Sequence, residues 1–372
     1  MILFYIVISI IIINYLLFLT LIWIGIKLVK SKRLSNYNNF SVSIIIPFRN
    51  ESENIDNLLG NLNDIDYPNE KLEIILVDDY STDDSVEKIQ KHIKPNIKLL
   101  TNNQVENGFK KAAIEKAINV ACGDVIVLTD ADCSHQKNWL KKMISYFEDN
   151  VAMVVGPVKF NEGESLFYKF QQLEYAGLML TAAGLVGIKK PKICSSANLA
   201  FLKSAFEKVN GYQDNAFLSS GDDELLMQKI SKLPNQKIEY CWNKEAVVET
   251  KSNKNVKSFF LQRQRWASKS LFYDSKLFIS LLVFIFLFYL SIIVLPIISI
   301  FNSSYFFFFI IALFMKLIFE YVIMKEGADL LFNKSNMKYF LTAEFLQIPY
   351  IIISAILGIK GNYFWKDRKV KR

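Results

Sequence analysis

Apolar residues fall along this chain in long and short blocks, and each length predicts a different kind of element. The first long block, residues 1–26, holds no charged side chain and exceeds the roughly 18–20 residues with which a helix crosses a bilayer. It predicts a membrane anchor. A cleaved leader would need a basic start, a shorter apolar core and a small-residue cleavage site, none of which is present. Further blocks at 277–301, 305–324 and 340–359 are each about long enough to span. The last includes Glu344, Gln347 and Pro349, so part of its surface must face protein or water.

Between these blocks, from 41 to 248, short β-branched runs alternate with amphipathic patterns, as in a parallel sheet flanked by helices. Strands are predicted at 41–46, 72–77, 97–100, 124–128 and 151–155, and helices at 51–62, 81–93, 110–121 and 135–147. Ser81 or Thr82 would cap the second helix. An apolar stretch at 176–188, AGLMLTAAGLVGI, is too short to cross a membrane. It predicts a helix lying at the membrane interface, with a buried core helix as the alternative. No internal repeat or low-complexity linker interrupts the pattern. The implied division is an anchor (1–26), an α/β domain (41–250), an interfacial helix (251–275), spans (277–359) and a basic tail (360–372).

Of the 372 residues, 52% are hydrophobic, and the net charge is +8. Much of that excess stands beside apolar blocks, at Lys27, Lys30, Lys32 and Arg33 and in the tail KDRKVKR. Membrane orientation explains it without a nucleic-acid partner. A basic cluster directly after an anchor belongs on the cytoplasmic side, which puts the α/β domain in the cytoplasm. Three late crossings would leave the tail outside and an even number would keep it inside, and both topologies remain open. Cys122, Cys133, Cys194 and Cys241 lack paired metal-ligand spacing and read as reduced thiols in that compartment.

Candidate chemistry gathers where the strands end. The second predicted strand runs into Asp78 and Asp79, and the fourth into TDADC with Asp130 and Asp132; open α/β sheets bind ligands beyond the carboxyl ends of their strands. On an extended backbone Asp130 and Asp132 would point to one side, about 6–7 Å apart at a rise of roughly 3.3 Å per residue. Their repulsion predicts a cation between them, Mg²⁺ or Mn²⁺ shared with a diphosphate. Taken alone, the triplet reads equally as a solvated turn.

The segments SIIIPFRNE, ILVDDYSTDDS, TDADC, SSANLAF, SGDDELL and QRQRW, in that order over 41–266, resemble a family 2 glycosyltransferase of the GT-A fold. The resemblance implies that Glu51 and Asp79 contact a uridine, that Lys111 lies near the nucleotide, and that Asp132 is the principal metal ligand, supported by Asp130. Tyr80 departs from the pattern, which has glycine there. Asp222, Asp223 and Glu224 precede a helical pattern and would complement a helix N-terminus; by the resemblance Asp223 is the base that deprotonates the acceptor hydroxyl. Such a reaction needs a positioned proton acceptor, and neither His92 nor His135 matches a base position.

Gln262, Arg265 and Trp266, spaced i, i+3 and i+4, share one helix face. They look like the Q-x-x-R-W motif of membrane-embedded sugar synthases and ceramide glucosyltransferases, in which the arginine would stabilise a departing diphosphate and the indole would stack on an acceptor sugar or lipid headgroup. An interfacial helix with snorkelling arginines and a belt tryptophan is a compatible reading. Segment 176–188 would then lie near the acceptor entrance.

The resulting expectation is an inverting, metal-dependent transferase, multi-pass in a bacterial inner membrane, that moves a sugar from a UDP-sugar to a membrane lipid. A polymer exporter needs polar walls through the bilayer, and these blocks supply few. The alternatives are a processive synthase of the cellulose, hyaluronan or poly-N-acetylglucosamine type, and a non-catalytic membrane scaffold or transport component.

Overall fold

The computed structural model of the chain describes residues 2–32, 40–102, 109–215, 221–359, 363–365 and 368–370. Arg33 and most of the basic tail therefore lie outside the described residues. In chain order the first elements are α1 (Ile2–Ser31), β1 (Val42–Phe48), α2 (Ser52–Asn63), β2 (Leu72–Asp78), α3 (Ser85–Gln90), β3 (Ile97–Thr101), α4 (Phe109–Val120), β4 (Val125–Leu128), α5 (Trp139–Ile144), β5 (Val151–Val155) and β6 (Val158–Phe160). They are followed by α6 (Leu166–Gly187), β7 (Leu199–Leu202), α7 (Lys203–Lys208), α8 (Glu224–Ile230), β8 (Lys237–Tyr240), β9 (Val248–Thr250), α9 (Val256–Ser268), α10 (Lys276–Ile298), α11 (Ser304–Gly327) and α12 (Phe340–Ile359). A short antiparallel pair, β10 (Tyr363–Trp365) and β11 (Arg368–Val370), follows. Two compact units result, one of residues 27–161 with 181–251, the other of 1–26 with 162–180 and 252–372. Segment 162–180 thus groups with the long apolar helices, although the sequence reading set it inside the α/β domain.

The first of these units is built on a seven-stranded sheet in the order β3-β2-β1-β4-β7-β5-β8. Strands β1, β2, β3 and β4 pair in parallel, with Ile44 opposite both Ile74 and Val127. Ile44, Ile45, Ile46, Ile75, Leu76, Val77 and all of β4 are buried, because both faces of a parallel sheet are covered. β7 is antiparallel to β4 and β5, so the sheet is mixed and mostly parallel. Strands β6 and β9 form a separate parallel pair. The expected cap of α3 is displaced: the helix starts at Ser85, whose backbone N–H and hydroxyl both donate to Asp83 Oδ1. Ser81 and Thr82 instead bond to Asn50.

Segment 176–188 is also corrected. It belongs to the longer helix α6, in which Ala176, Met179, Leu180 and every residue from 182 to 186 are buried. A helix lying on a membrane surface keeps one polar face in water, whereas this one is covered all round. The buried-core alternative is the correct one, and its polar members have partners: Gln171 bonds Asn253, Gln172 accepts from Asn336, and Glu174 pairs with Arg263.

Four helices, α1, α10, α11 and the segment Lys334–Ile359 that contains α12, are long and apolar enough to cross a membrane. Several of their polar residues gather in one place. Lys316, fully buried, donates to Glu320 Oε2 at 3.0 Å and to Gln347 Oε1 at 3.0 Å, and pairs with Glu344. Tyr289 donates to the same Gln347 oxygen at 3.0 Å and lies 3.1 Å from the Tyr15 hydroxyl, which donates to Glu320. Residues of α1, α10, α11 and α12 are joined by this network, so Glu344 and Gln347 do face protein, as their place in an apolar block requires.

Candidate active site

The acidic segments meet at the carboxyl ends of β1, β2 and β4. After β2 the chain turns sharply: Asp78 Oδ1 accepts from Ser81 N at 2.9 Å, and Tyr80 has φ +61°. That left-handed conformation is open to glycine and costs other residues roughly 1–2 kcal/mol, which gives a physical reason for the glycine usual at this position. Here Arg49 holds the turn, its Nη1 donating to Asp79 O at 2.8 Å and to Tyr80 O at 2.7 Å. The Asp79 side chain is buried and accepts from Asn102 Nδ2 at 3.0 Å. Glu51, at the end of β1, accepts from Asn54, which in turn accepts from Lys251. Both carboxylates with an expected nucleotide role are therefore fixed by neighbouring amides.

Beyond β4 the expected geometry fails. The strand ends at Leu128, and Cys133 N donates to Asp130 O at 3.2 Å, so the D-A-D triplet is a turn rather than extended chain. Asp130 and Asp132 consequently meet different partners. Asp130 Oδ1 lies 2.7 Å from Lys110 Nζ, which also donates to Ser196 Oγ at 2.8 Å and sits 3.3 Å from Asp222 Oδ2. Lys110 thus neutralises Asp130 jointly with Asp222 rather than with Asp132. Burial disfavours its charge, but Asp130 and Asp222 outweigh that and raise the Lys110 pKa above its ordinary value. Asp132 instead lines a cavity of about 200 Å³ with Glu53, Asn57, Asn161, Glu249 and Thr250.

Lys111, the lysine expected near the nucleotide, is buried with its ammonium 6.0 Å from the Tyr212 ring. A signal for this was present: Lys111, Ile114 and Ile118, at i, i+3 and i+7, form the buried stripe of α4, and Lys110 lies off it.

Asp223 is the N-cap of α8, accepting from Glu224 N at 2.7 Å. Its predicted helix-capping part is therefore real, and the bond fixes the carboxylate's orientation. Ser220 of that motif lies outside the described residues. Asn198 of SSANLAF ties the sheet to its surroundings, donating to Pro157 O at 2.9 Å and Ala246 O at 2.8 Å and accepting from Trp139 Nε1 at 2.9 Å. All four cysteines are free, and burial, with Asp132 and Asp130 nearby, pushes the Cys133 thiol up and away from thiolate chemistry.

His135 packs on Trp139 with ring centroids 4.2 Å apart and lies 2.8 Å from Thr129 Oγ1. That hydroxyl gives its one hydrogen to Ala197 O, so the imidazole is the donor. Burial pushes its pKa down to about 3. An unfolded histidine takes a proton near pH 6.5 while this one does not, so stability that is full above that pH is lost as pH falls towards 3, by about 1.4 kcal/mol per unit. Replacing His135 by asparagine should flatten the fall of Tm between about pH 6 and pH 4 relative to the parent protein. Superimposable Tm profiles would mean that the folded imidazole carries a proton there.

The Q-x-x-R-W residues lie on α9, which is opened by a capping box between Asn255 and Ser258. Gln262 Oε1 accepts from Asn253 Nδ2 at 2.9 Å, Arg265 is half-buried, and the half-buried Trp266 ring lies 5.8 Å from Tyr175. The sequence reading passed over Arg263, which forms a buried ion pair with Glu174.

Residues 43–209 match Glycosyl transferase family 2. The chain is 26% identical to Glycosyltransferase AglE of Haloferax volcanii over 184 residues, 49% of this chain and 58% of that protein. It is 30% identical to a poly-beta-1,6-N-acetyl-D-glucosamine synthase of Staphylococcus aureus over 239 residues, 61% of this chain and 53% of that one. The chain thus spans a little over half the length of these curated relatives. Among solved structures it resembles the mannosyltransferase PcManGT of Pyrobaculum calidifontis, solved with GDP-Man and Mn²⁺, at a TM-score of 0.59 and 17% identity, covering 95% of this chain and 98% of that one. Residues 43–209 are thus similar to family 2 glycosyltransferases, and the chain has the GT-A fold together with, among the described residues, four helices long and apolar enough to span a membrane.

Proposed function

We propose that the chain transfers a sugar from a UDP-sugar to a lipid of its own membrane, with inversion at the anomeric carbon. The observation that carries the donor half is the cavity that Asp132 lines together with Glu53, Asn57, Glu249, Thr250 and Lys251, most of which bring oxygen atoms to it. Such donors suit Mg²⁺ or Mn²⁺. Among the described residues no cluster of three or more acids, histidines or cysteines is able to hold an ion, so a substrate diphosphate and water would complete the coordination begun by Asp132. When bound, the ion supplies positive charge to the diphosphate leaving group. Glu51 and Asp79 hold the nucleotide, Lys110 keeps Asp222 paired, and Asp223, oriented by its cap, takes the proton of the acceptor hydroxyl. Arg265 adds charge at the leaving group, and Trp266 offers a stacking face to the acceptor.

The acceptor half is supported by the membrane helices. Their buried charged residues Lys316, Glu320 and Glu344 are engaged with one another, which leaves them out of any polar lining for a hydrated glycan. The basic start of the cytoplasm-facing segment, with Lys27 and Lys30, supports a cytoplasmic catalytic domain in a bacterial inner membrane. A second reading, processive polymer synthesis, is favoured by the 30% identity to a poly-N-acetylglucosamine synthase.

Asp132→Ala should abolish the metal dependence of donor binding. With UDP-glucose, UDP-galactose, UDP-N-acetylglucosamine and GDP-mannose titrated in the presence and absence of Mn²⁺, the parent protein should bind one donor more tightly with metal and the variant should not. Unchanged, metal-dependent affinity in the variant would overturn the assignment.

A further inference from the structure

The Q-x-x-R-W pattern leaves its second position unspecified, yet here that position is a buried, paired arginine. The Arg263 side chain is 4% exposed and pairs with Glu174, 2% exposed, on α6. Nε donates to Glu174 Oε1 at 3.1 Å, Nη2 to Oε2, and Nη1 to Gln262 Oε1. Tyr350 of α12 donates its hydroxyl to the same Glu174 oxygen as Nε. A guanidinium carries its donors in a rigid flat fork, so these bonds set the plane of the group. Its Cζ lies 4.3 Å from the Trp266 ring centroid and 4.4 Å from that of Phe259. The same Gln262 oxygen accepts from Asn253, which Gln171 fixes through bonds of 2.9, 3.0 and 3.1 Å. Two of the three motif side chains therefore touch Arg263 directly.

We propose that Arg263, clamped by Glu174, is a positioning residue that sets the plane of the Trp266 indole and the direction of the Gln262 amide, presenting a preformed stacking face to the acceptor. This rests on the reading of Trp266 as the acceptor's platform. A buried cation needs a counter-charge, and a lysine could supply charge to Glu174 only as a point donor. Only a planar group both pairs with the carboxylate and layers against an indole.

The test uses the full chain in detergent or vesicles, with Arg263→Lys, Glu174→Gln, Trp266→Leu and the double variant Arg263→Lys/Trp266→Leu. The emission belonging to Trp266 is the difference between proteins with and without that residue. In the Arg263→Lys background it should shift to the red and become more open to acrylamide quenching, and Glu174→Gln should move it the same way. Unaltered emission and quenching would overturn the proposal. In turnover with UDP-N-acetylglucosamine and vesicles of bacterial polar lipids, Arg263→Lys should raise the half-saturating lipid concentration about tenfold and leave KM for the donor unchanged. The same substitution should add less than about twofold once Trp266 is already leucine. Independent, multiplying effects, or a parallel loss in donor KM, would mark Arg263 as merely structural and sink the proposal. If Trp266→Leu itself leaves lipid half-saturation unchanged, the acceptor role of Trp266 fails, while the emission result still decides the clamp.

Discussion

Lys316→Met should lower the stability of the full chain by about 3–5 kcal/mol, the usual effect of removing one partner from a buried ion pair. The ammonium is fully buried and its loss strands Glu320 and Glu344 together inside the helices. Adding Glu320→Gln and Glu344→Gln should restore most of the loss, because neutral groups of similar shape often replace a buried charge network at little cost. Thermal scans of detergent-solubilised protein, followed by aggregation or intrinsic fluorescence, read both effects. A single variant that melts with the parent protein would mean that the two carboxylates are not held against Lys316.

Asp223→Asn should reduce turnover by about 10² or more, the scale of general-base catalysis, while donor binding survives. Asparagine retains an oxygen that can accept from Glu224 N, so the cap of α8 persists and only the proton acceptor is lost. Near-normal turnover would move the base elsewhere. Loss of donor binding along with turnover would instead assign Asp223 to holding the site together.

Much of the fold was legible because its strands are buried on both faces: the runs around Ile44, Ile75, Val127 and Met153 are β-branched or apolar without a break. β7 was not, since LAFL is short and nothing in it encodes an antiparallel direction. α6 was misread because its first half holds Gln171, Gln172 and Glu174, whose partners Asn253, Asn336 and Arg263 are distant in sequence; composition registers such residues as exposed. At the site, the acids were found by their place at strand ends, but their partners depended on where β4 stops. One residue of turn, Ala131, separates Asp130 from Asp132 in direction, and one residue of helix phase separates Lys110 from Lys111. Tyr80 shows the opposite case, in which a departure from a familiar pattern marked a backbone position at φ +61°.

Lipid transfer and polymer synthesis differ most directly in where the sugar ends. Membranes containing the chain, given each radiolabelled UDP-sugar in turn with Mn²⁺ and then extracted with organic solvent, should yield label in the organic phase as a lipid bearing one or a few sugars, and Asp223→Asn membranes should not. Label confined to a water-soluble product of high molecular weight would contradict a lipid acceptor and leave the polymer synthase standing.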